Sequence, residues 1–311
     1  MPWAIFIVSV LVFTSSVLSA QQPLFVSGID LVHFGVSVLD RDGSPIADLN
    51  VEDFELYEDG KVQEVKYFSR GMSSDAETMP MHLGLLFDAS SSMQHDDVFA
   101  KTAAIKFLNS QAHAADMTLV DFDTEVRVGR YVQDDFPRLV ERIRRRESGT
   151  NTALYDALGV YLNGAFDQDG RKVLLLYSDG HDTRSRIRFH EIIDLVKASD
   201  VTVYAVGFQE HLPRSLRFIE QRRLKELTEL TGGYCYFPSS VDDLDEIYER
   251  ITEELDARYS LGYVSTNTRS DGTWREVEIK IKESRRDLKR IRVRHRQGYF
   301  SQYIQPETFT R

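Results

Sequence analysis

The sequence predicts an α/β protein: a mostly parallel sheet with helices on both faces, flanked in the chain by short all-β segments. Three observations point there. Between residues 81 and 257, compact apolar runs of strand length alternate with longer segments of helical period. Before and after that stretch, apolar and polar residues alternate with a period of two, as in half-buried strands. With 311 residues and 42 % hydrophobic composition, the chain suits one medium domain plus a smaller one. A formal net charge of -11 works against broad affinity for nucleic acid, whose phosphates attract Lys and Arg.

Taken in order, residues 4–20, AIFIVSVLVFTSSVLSA, form the only long apolar run. Its small-residue end reads as a signal peptide over 1–20, cleaved after Ser19 or Ala20. The run is short for a membrane span, which needs roughly 20 apolar residues. No Lys or Arg precedes it, so an uncleaved membrane anchor is the alternative, and no Cys lies near for a lipid. The expected location is secreted, periplasmic or cell envelope.

Val32, Phe34, Val36 and Val38 alternate along a first strand, and Asp42-Gly43 makes a turn. Residues 54–58 and 62–68 flank Asp59-Gly60 as a β-hairpin. Strands are then expected at 82–87, 117–122, 126–132, 172–177, 201–206 and 234–237. Helices are expected at 98–112, 139–143, 153–166, 187–198 and 219–230. Val241, Leu244, Ile247, Ile251 and Leu255 mark a last amphipathic helix. After residue 257 the two-residue period returns in three strands, around Tyr259–Tyr263, Val277–Ile281 and Ile291–Val293.

Three oxygen-rich loops carry the chemistry. Asp88-Ala89-Ser90-Ser91-Ser92 follows the strand at 82–87, and Ser178-Asp179-Gly180 follows the strand at 172–177. Gly149-Thr150-Asn151-Thr152 opens a helix between them. Loops beyond the carboxyl ends of parallel strands converge in one crevice. Two carboxylates and several hydroxyls there make an all-oxygen set, suited to a hard ion such as Mg²⁺.

This spacing, D-x-S-x-S, then G-T, then S-D-G, resembles the metal-ion-dependent adhesion site of von Willebrand factor type A (VWA) domains, and the resemblance covers residues 79–257. It implies a Rossmann-like sheet and one bound Mg²⁺ or Mn²⁺. It implies that Ser90 and Ser92 coordinate directly through their hydroxyls, and Thr150 directly or through water. Asp88 and Asp179 would hold coordinated waters, and a partner would supply an Asp or Glu carboxylate. The runs Val38–Asp40, Glu52–Gly60 and Arg296–Phe300 also resemble a bacterial family of secreted VWA-related proteins, whose role is poorly defined. The first and last elements of a VWA domain lie close together, opposite the metal. The flanking β-segments are therefore expected to form one small β-sandwich into which the α/β domain is inserted. The expected organisation is sandwich at 23–75, VWA domain at 79–257, sandwich again at 258–300 and a tail at 301–311.

Other signals read as structure. Cys235 is the only cysteine, so no intrachain disulfide forms, and its apolar setting makes it a small buried hydrophobe. His190-Glu191 on a helix lacks the second His of a zinc motif and reads as a solvated face. His95, with Asp96 and Asp97, is expected to be exposed. Arg285, Arg286, Lys289, Arg290, Arg292, Arg294 and Arg296 alternate with Ile291 and Val293 and read as one solvated strand face; the sharper alternative is a patch for an anionic glycan or lipid head group.

The functional expectation is an extracytoplasmic, metal-dependent binding module and no enzyme. A rim of Gln94, Thr152, His181 and Arg184, with Arg186 adding positive charge, would surround the metal. The alternatives are a metal-dependent hydrolase or enzyme accessory subunit, and a scaffold with a purely structural metal.

Overall fold

The computed structural model describes residues 31–71, 80–94, 97–111, 114–240, 243–283, 285, 288 and 290–303. The expected leader at 1–20, His95-Asp96 and most of the expected tail lie outside the described residues. Among the described residues no helix is long and apolar enough to cross a membrane.

The central sheet has six strands. In chain order the first sandwich strands come before it: β1 (Leu31–Leu39), β2 (Phe54–Glu58), β3 (Lys61–Gln63) and β4 (Val65–Arg70). The sheet itself contains β5 (Met81–Asp88), β6 (Asp116–Phe122), β7 (Val126–Val132), β8 (Arg171–Ser178), β9 (Thr202–Gly207) and β10 (Cys235–Tyr236). Its order is β10-β9-β8-β5-β6-β7, parallel throughout except for β7. The helices are α1 (Asp97–Ser110), α2 (Phe136–Arg145), α3 (Leu154–Ala165), α4 (Phe189–Ala198), α5 (Arg214–Leu230) and α6 (Asp243–Asp256). This is the expected Rossmann-like fold.

Strand β5 is buried along its whole length because both faces of the sheet are covered. Leu83, Leu85 and Phe87 face a core with α1, α2 and α6, whereas Leu86 faces the other core with α3, α4 and α5. Gly84 lies beneath Tyr161 of α3; a Cβ there would come within 2.2 Å of the ring, so the helix can approach only over glycine. From β5 the chain winds towards β6, and from β8 towards β9, although β5 and β8 are neighbours. The carboxyl ends of β5 and β8 therefore flank the topological switch point, where an α/β sheet opens a crevice.

Beyond α6 the chain forms β11 (Tyr259–Val264), β12 (Trp274–Ile281), β13 (Arg292–Arg294) and β14 (Gly298–Phe300). These build two antiparallel sheets with the N-terminal strands, ordered β13-β1-β11-β4 and β14-β12-β2-β3. Each sheet takes strands from both sides of the α/β region. Phe34, Val36, Leu56, Tyr259, Leu261, Val277 and Ile279 fill the core between them. Glu58 and Arg275 are buried in the same sandwich, 3.8 Å apart. Glu58 also accepts hydrogen bonds from the hydroxyls of Tyr263 (2.7 Å), Ser265 (2.7 Å) and Tyr299 (2.9 Å).

Three details differ from expectation. The second arm of the Asp59-Gly60 hairpin divides at Glu64: β3 pairs with β2, and β4 crosses to the facing sheet and pairs with β11. A fourth C-terminal strand, β14, extends the sheet beside β12; at three residues it is too short to show a period. The basic run is also no single solvated face. Arg292 is exposed, but Arg294 binds Glu254 at 2.9 Å and lies 4.0 Å from the Tyr234 ring centre. Arg296 donates to the His33 carbonyl at 2.9 Å and lies over Phe34. Both stems are drawn into the seam between the sandwich and the α/β region, where ring faces and a buried carboxylate receive them. Arg286 and Lys289 lie outside the described residues.

Candidate metal centre

The last residues of β5 and β8 bind each other directly. Asp88, 1 % exposed, accepts the Ser90 backbone N–H at 3.0 Å through one oxygen and the Ser178 hydroxyl at 2.6 Å through the other. Ser178 in turn accepts the Gly180 N–H at 3.0 Å. Gly180 turns the chain at φ 86°, a left-handed conformation that glycine adopts freely. Asp179 is fully buried. One of its carboxylate oxygens accepts the His181 N–H at 2.8 Å, and the other lies 3.0 Å from His211 Nε2. Its carbonyl accepts Gln209 Nε2 at 2.6 Å. Burial, and then repulsion from Asp179, pushes the Asp88 carboxyl up to about 7 despite the hydroxyl and N–H donors that favour its charged form.

Ser90 precedes, and Ser92 lies on, the one-turn 3₁₀ segment that follows. Ser90 Oγ and Ser92 Oγ are 3.0 Å apart, so two hydroxyl oxygens are presented together. Between them, the Ser91 hydroxyl donates to the Thr150 carbonyl at 3.0 Å, joining the first loop to the second. The Gly149 N–H donates to the Ala89 carbonyl at 2.7 Å, a second tie. Thr150 is exposed, its hydroxyl 3.2 Å from that of Thr124.

Asp123 holds this second loop from below. Gly149 packs against it so closely that a Cβ would sit 2.2 Å from a carboxylate oxygen, and the Asp123 carbonyl accepts the Ala153 N–H at 2.8 Å. Burial alone would raise the Asp123 pKa; the Glu125 N–H together with Arg146 and Arg127 holds it below the usual value. Asp123 is therefore a fixed anion in an arginine network, separate from the Asp88–Asp179 pair.

Around the crevice, Gln94, Arg184 and Arg186 are exposed and His181 is partly buried. Thr152 does not reach the rim. It is 4 % exposed, and its carbonyl accepts the N–H groups of Thr183 and Arg184, each at 3.0 Å. The Asp182 carboxylate accepts the Leu154 N–H at 2.9 Å and the Ser185 hydroxyl at 2.6 Å. The loop after Gly180 is thus strapped to the start of α3, and Thr152 serves in the strap. Asp88, Ser90, Ser92, Thr150 and Asp179 are the ligands the motif predicts; Ser178 belongs to the same motif without a predicted role, and Gln209, His211 and Asp123 lie outside it. Gln209 and His211 follow the carboxyl end of β9, the position that singled out the other loops, so the same rule would have found them.

No group of three or more His, Cys, Asp or Glu suited to a metal occurs among the described residues. Two buried carboxylates and a pair of adjoining hydroxyls do fit a hard divalent cation, which takes oxygen ligands and keeps some waters. Elsewhere, Cys235 is buried, with its thiol pushed far up by desolvation, and His190 is exposed.

The model of the von Willebrand factor type A domain matches residues 82–250, more than half of the chain. The chain belongs to the von Willebrand factor type A domain family. The matched VWA region runs from β5 into α6, so the sandwich strands lie outside it. No curated protein matches the sequence. Among solved structures, the chain is similar to a von Willebrand factor type A protein from Catenulispora acidiphila. That pair shares 12 % identity with a TM-score of 0.49, covering 89 % of this chain and 74 % of the other. The conserved hypothetical protein BatB from Bacteroides thetaiotaomicron is 13 % identical with a TM-score of 0.42, covering 56 % of this chain and 98 % of the other. The pilus adhesin SpaC from Lactobacillus rhamnosus GG, in an open conformation, is 9 % identical with a TM-score of 0.48; 80 % of this chain aligns with 47 % of that one.

Proposed function

We propose that this VWA protein is an extracytoplasmic interaction module that holds one Mg²⁺ or Mn²⁺ in its crevice, recognises a partner's carboxylate through it, and catalyses no reaction. The observation that carries the reading is the meeting of Asp88 and Asp179, two fully buried carboxylates at the ends of β5 and β8, beside the paired hydroxyls of Ser90 and Ser92. Buried like charges are costly unless a cation joins them. Ser90, Ser92 and Thr150 would hold the ion directly, and Asp88 and Asp179 would hold it through water. When bound, the ion supplies a Lewis-acid position for one oxygen of an Asp or Glu from a protein or surface ligand.

The chain's own residues set the rest. The Asp88–Ser178 hydrogen bond fixes the two strand ends, and Ser91 fixes Thr150 beside the serines. Gln94, His181, Arg184 and Arg186 border the opening, and the two arginines favour an acidic partner surface. The apolar run at 4–20 supports export.

The test is capture from an envelope fraction, with Mg²⁺ or with EDTA, using wild type and folded Ser90→Ala, Thr150→Ala and Asp179→Ala proteins. Capture should need Mg²⁺ or Mn²⁺ and weaken strongly in all three variants. A partner retained equally in EDTA, or by the Asp179→Ala protein, contradicts the proposal.

A further inference from the structure

At the amino ends of the central strands, opposite the crevice, a cavity of about 100 Å³ lies in the seam beneath the sandwich. Roughly 10–15 Å³ of such space admits one water, so the cavity has room for a small polyatomic group. Its lining is strongly basic: His33, Arg171, Lys172, Arg258 and Arg296 face one acid, Asp200. Lys172 already binds both carboxylate oxygens of Asp200 at 2.8 Å. Among the described residues, Arg171, Arg258 and Arg296 make no ion pair.

The guanidiniums are also short of hydrogen-bond acceptors. Arg258, 6 % exposed, reaches Thr202 Oγ1 at 2.9 Å and the Gly35 carbonyl at 3.1 Å, but its Nε has no partner among the described residues. Arg296 Nε and His33 Nδ1 are likewise buried and unpartnered. The Arg171 side chain makes no hydrogen bond among the described residues. Burial, then the neighbouring Arg258, pulls Arg171 below its ordinary pKa, and Asp256 only partly offsets this. Burial pulls Arg296 down in the same way. Buried donors and buried charge of one sign are rarely left without an acceptor or counter-ion.

We propose that this seam cavity is a binding site for a small tetrahedral oxyanion, inorganic phosphate or sulfate, held by Arg171, Arg258 and Arg296. A guanidinium presents several N–H donors in a plane and suits such oxygens. The three arginines come from the start of β8, the link between α6 and β11, and the segment between β13 and β14. One anion would therefore tie the central sheet to both sheets of the sandwich. The proposal does not depend on the metal crevice.

Calorimetric titration of inorganic phosphate into the full chain, in EDTA so that no crevice cation can bind it, tests this. Wild type should bind one phosphate saturably, with sulfate competing and acetate at equal ionic strength failing to compete. Arg171→Gln, which removes no protein hydrogen bond, should weaken binding roughly tenfold or more, and Arg171→Lys should restore part of it. Loss of saturable binding in wild type, effective competition by acetate, or an unchanged affinity in a folded Arg171→Gln protein would overturn the site. If Arg171→Gln fails to fold, the wild-type titration and Arg171→Lys still decide.

Discussion

At the carboxyl end of the central sheet, Asp88 and Asp179 bring two buried negative charges together; at the amino end, Arg171, Arg258 and Arg296 bring three positive ones. Both ends solve part of the problem with neutral groups. Ser178, Ser90 and the His181 N–H serve the acids, whereas Thr202 and the carbonyls of Gly35 and His33 serve the bases. The ends differ in what covers them. Loops after β5, β8 and β9 border the acidic end, where Ser90 is buried and Ser92 is partly exposed. Two sheets, each built from both flanks of the chain, close the basic end. The proposed cation at the first end would meet loops open to a partner, while the proposed anion at the second would meet the joint between two packed cores.

The largest effect should come from breaking the cover of the basic end. Glu58→Ala removes the buried carboxylate 3.8 Å from the Arg275 guanidinium, which then keeps, among the described residues, only the Asp271 carboxylate at 3.4 Å, and it removes the acceptor of three hydroxyls. Loss of one partner of a buried pair costs about 3–5 kcal/mol, which urea unfolding should register. Glu58→Gln, which keeps an acceptor of the same shape, should cost less.

Next comes charge at the acidic end. Asp88 has a folded-state pKa of about 7 against an ordinary value of 3.8, so the metal-free fold binds the extra proton between those limits. Its contribution to stability is therefore present at low pH and falls as pH rises from about 4 to about 7, by at most ~1.4 kcal/mol for each pH unit crossed. In EDTA, melting curves of wild type should show this fall, and Asp88→Asn should flatten it. A wild-type slope equal to that of Asp88→Asn would mean that Asp88 is already charged without metal.

The smallest stability change should be at Thr150. Its side chain is exposed and its hydroxyl bonds only to neighbouring loop groups, so Thr150→Ala should alter stability by less than about 0.5 kcal/mol. Its Mg²⁺ affinity should still fall. A large loss of stability would make Thr150 a loop anchor in place of a ligand.

Much of this contrast was legible in the sequence, unevenly. The expected ligands of the acidic end are readable because each sits in a short motif beside a strand or helix whose period is plain, as with Asp88 after Leu83–Phe87, whereas Gln209 and His211 sit in no such motif. Asp179 was readable for the same reason after the run Val173–Tyr177. The sandwich was readable as alternating segments, but the crossing at Glu64 was not, since a strand that changes sheets keeps its alternation. A polar residue in a loop looks exposed, which is why the sequence places Thr152 at the rim; two N–H donors from residues 183 and 184 hold its carbonyl inward. The basic end was missed. Arg171, Arg258 and Arg296 are scattered in sequence and meet only through tertiary packing, and Arg296 looked like one more member of a solvated alternating run.

The central claim, that the acidic end is a divalent-cation site, is tested most directly by titrating Mg²⁺ into metal-free wild type and into folded Ser90→Ala and Asp179→Ala proteins in a calorimeter. The account predicts one saturable site in wild type and an affinity weakened roughly tenfold or more in each variant. An absence of saturable binding in wild type, or the same affinity in the Asp179→Ala protein, would contradict it.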